Sequence, residues 1–352
     1  MTNVRERVLD HAPLRATGAR GMLSRLRPAA GAAHVGLGAV LILTCVVLAL
    51  TAPNFLTTGN LLDIARQASY TGIIALGMTL VIVAAEIDIS VGSAIAFSSA
   101  VFGVLAVNLA WPLWVAAVGV LLLGALVGAG AGLVRAALNV PSFIVTLALF
   151  SALSGMALLL TDSTPIPISD PGFAWLGSGD VAGIPVPALI MAVLFAVFWV
   201  VANRTAFGRS VYAIGGNAEA ARLSGIPVRR VRIILFATTG VLAALSGLLQ
   251  TSQLGAGNPT IGGGVEFAVI TAVIVGGANL YGGRGSLVGT LLGVLFIGAL
   301  NNGMVLLGVN SYAQYVANGV LVLLAVLIGA ARPSSKFRVF RRPRPTLLAA
   351  GR

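Results

Sequence analysis

The chain has 352 residues, of which 58% are hydrophobic and only 9% are charged, and its mean hydropathy is +1.00. Soluble globular proteins carry about a quarter of charged residues, so this chain cannot cover a water-facing surface. The composition excludes a soluble enzyme, a DNA-binding module and a disordered protein, and it predicts a polytopic membrane protein. The single cysteine, Cys45, lies in an apolar run and cannot form an intramolecular disulfide.

The net charge of +12 comes from clusters of basic residues separated by apolar segments. Six of the 22 basic residues precede residue 28, six lie between Arg204 and Arg232, and seven lie between Arg332 and Arg352. Such clustering is what the positive-inside rule produces in membrane proteins. It therefore favours a membrane topology over a nucleic-acid partner, and we expect no nucleic-acid binding.

Apolar segments that can cross a bilayer as helices follow one another along the chain. About 17–25 residues are needed for a crossing, and continuous apolar runs favour helices over the alternating strands of a barrel. The sequence predicts an all-α polytopic fold with about ten transmembrane helices, at 35–52, 69–86, 91–108, 113–134, 143–161, 186–203, 233–250, 267–281, 287–308 and 315–331. The second and eighth segments are short, so the sequence defines their ends least well.

The charges also predict the orientation of the chain. With the N-terminus in the cytoplasm, 21 basic residues lie inside and only Arg66 lies outside, which places both termini in the cytoplasm. We expect a basic N-terminal arm (1–34), a transmembrane domain (35–331) with a cytoplasmic loop (204–232), and a basic tail (332–352). The first segment is longer than a signal-peptide core, so we interpret it as an uncleaved span.

Acidic side chains lie in the predicted outer loops. They are candidates for docking a partner protein, and an ordinary solvated loop is the alternative. These residues are Asp162, Asp170, Asp180 and Glu266.

Two series of glycines recur every four residues and predict close helix packing. They are Gly124, Gly128 and Gly132 in the fourth segment and Gly285, Gly289 and Gly293 at the start of the ninth. A weaker similarity relates 81–93 to 273–286. An ancient repeat, as in many transporters, and chance both explain it.

The inventory of reactive side chains argues against an enzyme. His11 and His34 are the only histidines, and no Ser–His pair or zinc motif is present. Lys336 is the only lysine, so the chain has no phosphate-binding P-loop. We expect no metal or cofactor on this chain, and ATP, if it is used, must be bound by another chain.

The carboxylates argue against an ion-coupled secondary transporter, because each lies at or beyond the end of a predicted span. Glu86 and Asp88 lie nearest to the hydrocarbon, and their spacing of two suits a break between the second and third spans. This break either lines a substrate pathway, with Ser90 and Ser93 capping the next helix, or forms a solvated cytoplasmic turn.

Two amides, Asn301 and Asn302, interrupt the ninth span. An amide in hydrocarbon requires hydrogen-bond partners. These two side chains either link helices or face the hydroxyls of a sugar, and the second reading makes them candidates for the substrate pathway.

The cytoplasmic loop predicts a short helix. Asn217 is suited to an N-cap, Glu219 to a first turn, and Gly225 to a helix end before Pro227. The helix has fewer than two turns and is too short to be stable alone. It fits the groove of a partner protein, and a helix lying on the lipid surface is the alternative.

This stretch, Glu219-Ala220-Ala221-x-x-x-Gly225, resembles the EAA loop of ATP-binding-cassette (ABC) importer permeases, which docks on the ATPase subunit. From about residue 53 to 330 the chain is similar to the ribose/xylose-type monosaccharide permeases. The motifs follow in the order of that family: Ile87–Ser93 (I-D-L-S-V-G-S), Pro141–Leu147 (P-S-F-I-V-T-L), Phe207–Arg209 (F-G-R), Gly282–Ser286, Leu300–Gly303 and Leu307–Val309.

The resemblance implies a permease subunit without its own ATP site, located in the bacterial inner membrane. It implies a second permease chain, two ATPases that bind ATP and magnesium, and an extracytoplasmic sugar-binding protein. Glu219, Ala220, Ala221 and Gly225 would then couple ATP hydrolysis to alternating access. Relatives that import nucleosides or branched-chain amino acids are the alternative, followed by a secondary transporter.

The sequence departs from the family pattern at three residues. Where relatives often carry E-L-D, Glu266 is followed by Phe267 and Ala268, and Asn318 stands where a lysine often opens the last span. These departures bear on which substrate is carried.

Overall fold

The computed structural model describes residues 29–331. Most of the predicted basic arm (1–34) and all of the predicted tail (332–352) lie outside the described residues. Within the described range the helices, in chain order, are α1 Ala29–Thr51, α2 Thr58–Val83, α3 Val91–Gly103, α4 Leu113–Leu138, α5 Ser142–Leu160, α6 Pro171–Ser178, α7 Val186–Arg204, α8 Ala206–Gly216, α9 Ala218–Leu223, α10 Val228–Leu254, α11 Val265–Val275, α12 Leu287–Leu306 and α13 Ser311–Ala331.

Ten of these helices correspond in order to the ten predicted spans. Eight are long and apolar enough to cross a membrane, if α3 is counted with the π-helical turn Val104–Asn108 that extends it. The apolar parts of α11 and α13 are shorter. Strand structure in residues 29–331 is confined to two ladders of two-residue strands: β1 Ile166–Pro167 with β4 Ala256–Gly257, and β2 Asp180–Val181 with β3 Ile184–Pro185. The prediction of an all-α polytopic membrane protein is confirmed.

Helix α2 begins eleven residues before its predicted start at residue 69 and ends at Val83. The hydroxyl of Thr57 caps its first turn by accepting the N–H of Asn60 (3.4 Å). Polar and charged side chains in its first turns lower the local hydropathy, which hides these turns from a search for apolar runs.

Helix α11 ends at Val275, whereas the predicted span continued to residue 281. Its 11 residues cover about 16 Å, roughly half of the hydrocarbon thickness. Gly264 (φ +82°) precedes it, and the glycine-rich stretch before it turns back so that Gly262 packs on Gly92 and Ile95 of α3. Helix α11 therefore begins beside the first turn of α3.

The glycines of α4 pack against α10, as predicted. A Cβ on Gly124 would collide with the backbone of Gly240, one on Gly128 with Phe236, and one on Gly132 with Ile233. The missing side chains let the two backbones touch.

The second glycine series packs in the same way. Gly289 lies on the backbone of Gly276, and Gly293 lies on Ala272 of α11. The N–H of Gly283 donates to the carbonyl of Val83 (2.8 Å). The two stretches that resemble each other in sequence therefore touch in space, although this contact does not decide between repeat and chance.

The loop between α5 and α7 is folded over the outer end of α10. The hydroxyl of Ser252 donates to the carbonyl of Phe173 in α6 (2.5 Å) and accepts the N–H of Gly177 (2.7 Å). The ring of Phe173 stacks on Phe102 at 4.6 Å between centroids. These contacts fix α6 as a cap on the membrane domain.

Candidate functional site

The predicted coupling helix is present as α9. The side-chain oxygen of Asn217 accepts the N–H groups of Glu219 and Ala220, both at 3.0 Å, which makes it the expected N-cap. The helix has six residues, and Gly225 adopts φ +83° just after it. Cap, length and end all agree with the sequence.

Helix α9 presents one face to the protein and the opposite face to solvent. Ala221 is buried, whereas the side chains of Glu219 and Arg222 are 64% and 63% exposed. Arg222 donates two hydrogen bonds to the Glu219 carboxylate, at 3.0 and 2.6 Å, and these hold the pKa of Glu219 below its usual value. The neighbouring Leu223 is 74% exposed, so the outer face of α9 combines an ion pair with an apolar side chain.

The sequence did not predict α8, which carries α9. The hydroxyl of Thr205 caps it by accepting the N–H of Gly208 (3.2 Å), and Gly208 lies against the last turn of α7. Val211 and Ile214 are buried. A capping threonine followed by apolar residues at helical spacing is the signal that would have identified this helix.

The connection between α2 and α3 (residues 84–90) separates its two carboxylates. Glu86 is 2% exposed and lies between Arg135 at the end of α4 and Arg232 at the start of α10, with N–O distances of 2.8 and 2.6 Å. We call these three residues the Glu86 cluster. It links the α2–α3 connection to α4 and α10, and its two arginines are basic residues to which the sequence analysis gave only a role in topology.

Asp88 turns into the protein and is 3% exposed. Its carboxylate accepts the N–H of Ser90 (3.0 Å), the hydroxyl of Ser90 (2.6 Å) and the hydroxyl of Thr239 (2.8 Å). Thr239 lies about 16 Å along α10 from its inner end. The alternative of a solvated turn is wrong for Asp88.

One further expectation about this connection is wrong, and one argument based on it does not hold. Ser90 and Ser93 do not cap α3, because their hydroxyls donate to Asp88 and to the carbonyl of Ser90. Asp88 still precedes Val91, the first residue of α3, but it is buried within the protein, so a position at a span end does not imply exposure to solvent. The argument that this distribution gave against ion coupling therefore fails.

The α2–α3 connection rests on α5. The hydroxyl of Ser142 accepts the N–H of Ile87 (3.0 Å), and that of Thr146 accepts the N–H of Ile89 (3.2 Å). Two motifs used for the resemblance, Ile87–Ser93 and Pro141–Leu147, thus meet in space. Ser142 and Thr146 had not been singled out, although their spacing of four places both on one helix face.

Glu266 is not available for docking. It is 2% exposed, and one carboxylate oxygen lies against Gly92, where a Cβ would collide with it. The reason is that α11 begins inside the protein rather than at the outer surface. Asp162, Asp170 and Asp180 are exposed as expected, and Asp170 also accepts the N–H of Phe173 (2.7 Å) as the N-cap of α6.

The two amides of α12 differ in their contacts. Asn302 and Asn60 of α2 exchange two hydrogen bonds, at 2.8 and 3.0 Å. Asn302 is therefore an interhelical link. Asn301 lines two neighbouring cavities near the outer face. One of them is also lined by Phe267, Ala268 and Asn318, the three residues that depart from the family pattern.

Comparison with known proteins identifies the family. Residues 60–331 match the model of the family described as branched-chain amino acid transport system/permease component. The chain is 51% identical, over 84% of its length and 88% of the relative, to the probable ABC transporter permease protein YphD of Escherichia coli K12. The chain belongs to this family of ABC permeases.

Other relatives of the permease carry substrate names. It is 42% identical to the ribose import permease protein RbsC of E. coli K12, over 82% of this chain and 91% of the relative. It is 35% identical to the xylose transport system permease protein XylH of the same strain, over 79% and 86%. No solved structure matches it significantly.

Family and fold together place the permease in the bacterial inner membrane as a multi-pass transport component. Among residues 29–331, no three histidine, cysteine or acidic side chains are grouped in a way that could hold a metal ion. The polar side chains of the described residues interact through hydrogen bonds and ion pairs.

Proposed function

We propose that this permease imports a monosaccharide of the ribose/xylose type, driven by separate ATPase chains that bind ATP and magnesium. The observation that carries the substrate assignment is the match, over most of both chains, to permeases named for ribose and xylose. Import of a branched-chain amino acid is the second candidate, because the family description names that substrate class.

In this proposal two permease chains enclose one pathway, and an extracytoplasmic binding protein delivers the sugar. Exposed Asp162 and Asp180 are suited to docking it, since both carboxylates face outward and are free of the capping role that Asp170 has. ATP-driven closure of the ATPases moves α9 and alternates access to the pathway.

In this proposal the substrate pathway passes Asp88 and is closed at that level. The cavity beside Asp88 and Ser90 measures about 10 Å³, which is room for about one water molecule. Two glycines of the α4–α10 interface, Gly124 and Gly128, line its other side. Opening it requires a displacement between α10 and its neighbours. We assign Asp88 and Ser90 to this closed part of the pathway; Ser93, whose hydroxyl donates to the Ser90 carbonyl, does not line the cavity.

Purification with companions tests the proposed transport class. The tagged permease is isolated in mild detergent, and stoichiometric partners are identified by mass spectrometry. We expect an ATPase with a phosphate-binding loop, and ATP-dependent uptake of ribose or xylose after reconstitution with the binding protein. Uptake of leucine or valine instead would support the second candidate. A lone permease whose uptake stops with a protonophore but not with ATP depletion would overturn both.

A charge exchange on α9 tests its coupling role. Glu219→Arg reverses a charge on the exposed face and should uncouple ATP hydrolysis from uptake while the permease stays in the membrane. The double variant Glu219→Arg/Arg222→Glu restores an ion pair within α9 but not the original charge pattern presented to a partner. We expect the double variant to remain uncoupled in proteoliposomes, because docking requires that pattern.

The double variant also defines the contrary result. Full recovery of uptake would show that Glu219 serves only the ion pair within α9, and unchanged uptake in Glu219→Arg alone would remove the coupling assignment.

Leu223→Asp, which changes the exposed apolar side chain of the same face, should weaken co-purification of the ATPase.

A further inference from the structure

Polar side chains form a stripe on the outer half of α2. Asp63, Gln67 and Thr71 recur every four residues and therefore share one helix face. All three line one cavity of about 530 Å³. An apolar membrane helix has no need of such a stripe for packing against lipid, because each polar group in hydrocarbon costs free energy unless it is hydrogen-bonded.

The other walls of this cavity also carry amides. Gln253 at the outer end of α10 and Asn301 of α12 face the α2 stripe. A second cavity of about 590 Å³ lies between α11 and α13 and shares Thr71 and Asn301 with the first. Tyr315 and Asn318 line this second part. We call the two cavities together the outer groove, and each has the volume of a small-molecule site.

Asn301 lies where the two halves of the groove meet, and its side-chain oxygen lacks a partner. This oxygen is buried and accepts no hydrogen bond from residues 29–331. Its neighbour Asn302 is satisfied by Asn60. A buried acceptor left unpaired is destabilising, and a ligand hydroxyl in the groove would supply the missing donor.

The groove is close to neutral, which restricts its ligand. Asp63 is the one charged residue among its described lining, and it pairs with Arg66 at 2.8 Å. The remaining polar groups of the lining are amides and hydroxyls. A zwitterionic amino acid brings a carboxylate and an ammonium group that require charged partners, whereas a polyol requires only hydrogen-bond donors and acceptors.

We propose that the outer groove binds a neutral monosaccharide and that Asn301 accepts a hydrogen bond from one of its hydroxyls. The inference rests on the proposed function and deepens it, because it assigns a sugar site to the permease itself. The binding protein would release its sugar into this groove before the closed level at Asp88 opens.

Thiol protection tests the site without the ATPase or the binding protein. The native thiol is removed by Cys45→Ala, and Gln67→Cys places a single thiol in the groove. Its reaction with a charged maleimide is followed with and without D-ribose or D-xylose. At a sugar concentration about ten times its Kd, labelling should slow about tenfold, since about one site in ten remains free.

Two controls accompany this measurement. Ser169→Cys in the same background places the thiol on the exposed outer loop, outside the groove lining, and its labelling should not respond to sugar. Adding Asn301→Leu to Gln67→Cys should abolish protection at the same sugar concentration. Adding Asn203→Leu instead, which removes an exposed amide of α7 that lies outside the groove lining, should leave protection unchanged.

The outcomes separate this inference from the proposed function. If the unmodified permease imports ribose or xylose with ATP but sugar fails to protect Gln67→Cys, the groove assignment is overturned and the transport function stands. Protection by leucine but not by sugar overturns the neutral-ligand inference. Protection that persists in Asn301→Leu removes the role given to Asn301. If no monosaccharide is imported, the proposed function itself fails.

Discussion

Two glutamates on the inner face have opposite environments. Glu86 is almost fully buried and holds two arginines from different helices, whereas Glu219 is exposed and pairs with a residue three positions along its own helix. Removing one member of a buried ion cluster leaves the others uncompensated, while an exposed pair adds little to stability. Burial thus gives Glu86 a structural role and leaves Glu219 free for a partner.

We expect Glu86→Gln to destabilise the protein by about 3 kcal/mol, because Arg135 and Arg232 then face each other without a carboxylate. The measurement is thermal unfolding of the purified protein in detergent. Glu219→Gln is the matched control and should leave the unfolding temperature unchanged. Equal effects of the two substitutions would contradict the assigned roles.

At this scale the sequence predicts what is decided locally. The cap by Asn217 and the end at Gly225 depend on neighbours within the same loop, and both are confirmed. The partners of Asp88 could not be predicted, because Thr239 lies 151 positions away and reaches it only after α10 has packed. The burial of Glu266 could not be predicted either, because it depends on the packing of α11 against α3.

The contact between α4 and α10 depends on glycines, which have no side-chain atoms to keep the two backbones apart. On one side of α4 the glycines meet the backbone of α10, while Gly130, on the opposite side, has no atom within 4 Å of a Cβ position. Glycine is unfavourable within a helix relative to alanine. Its recurrence on the contact face is explained by close approach, and this does not apply to Gly130.

We expect Gly128→Ala to cost about 2 kcal/mol, since its Cβ would overlap the Phe236 carbonyl and force α10 outward. Gly130→Ala, two residues along the same helix, should be neutral or slightly stabilising. Detergent unfolding of both variants checks the difference. The same change in stability in both variants would show that close packing against α10 does not govern the position of Gly128.

Periodicity and hydropathy predict the contacts between helices better than they predict where a helix begins and ends. The four-residue glycine spacing predicted both packed interfaces because it reports the contact directly. The start of α2 was missed because its polar stripe lowers hydropathy, and α11 was extended because the turn that follows it is itself apolar. In both helices the deviation lies next to a proposed functional region.

For the whole molecule, the positive-inside rule and the fold agree on one arrangement. The Glu86 cluster, α8 and α9 lie at one end of the helices, while the α6 cap and the outer groove lie at the other. The predicted cytoplasmic side is therefore the side that carries α9, the proposed coupling helix. Composition and charge clustering sufficed for fold class and membrane location; the irregular connections between helices required the structure.

Single thiols test this orientation. In the Cys45→Ala background, Ser224→Cys at the end of α9 should react with an impermeant maleimide only from inverted vesicles. Ser169→Cys before α6 should react only from the outside of intact cells. The reverse pattern would require both termini to lie outside and would remove the ATPase contact from α9.

The junction of α8 with the α2–α3 connection has a mechanical consequence. Gly215 in the last turn of α8 lies against the Val83 carbonyl, the same oxygen that accepts the N–H of Gly283, and Gly282 lies against Ala85. The backbones of these segments touch directly there, with no long, flexible side chain between them. We therefore expect a displacement of α8 to be transmitted directly to the α2–α3 connection, which carries Glu86 and the buried Asp88.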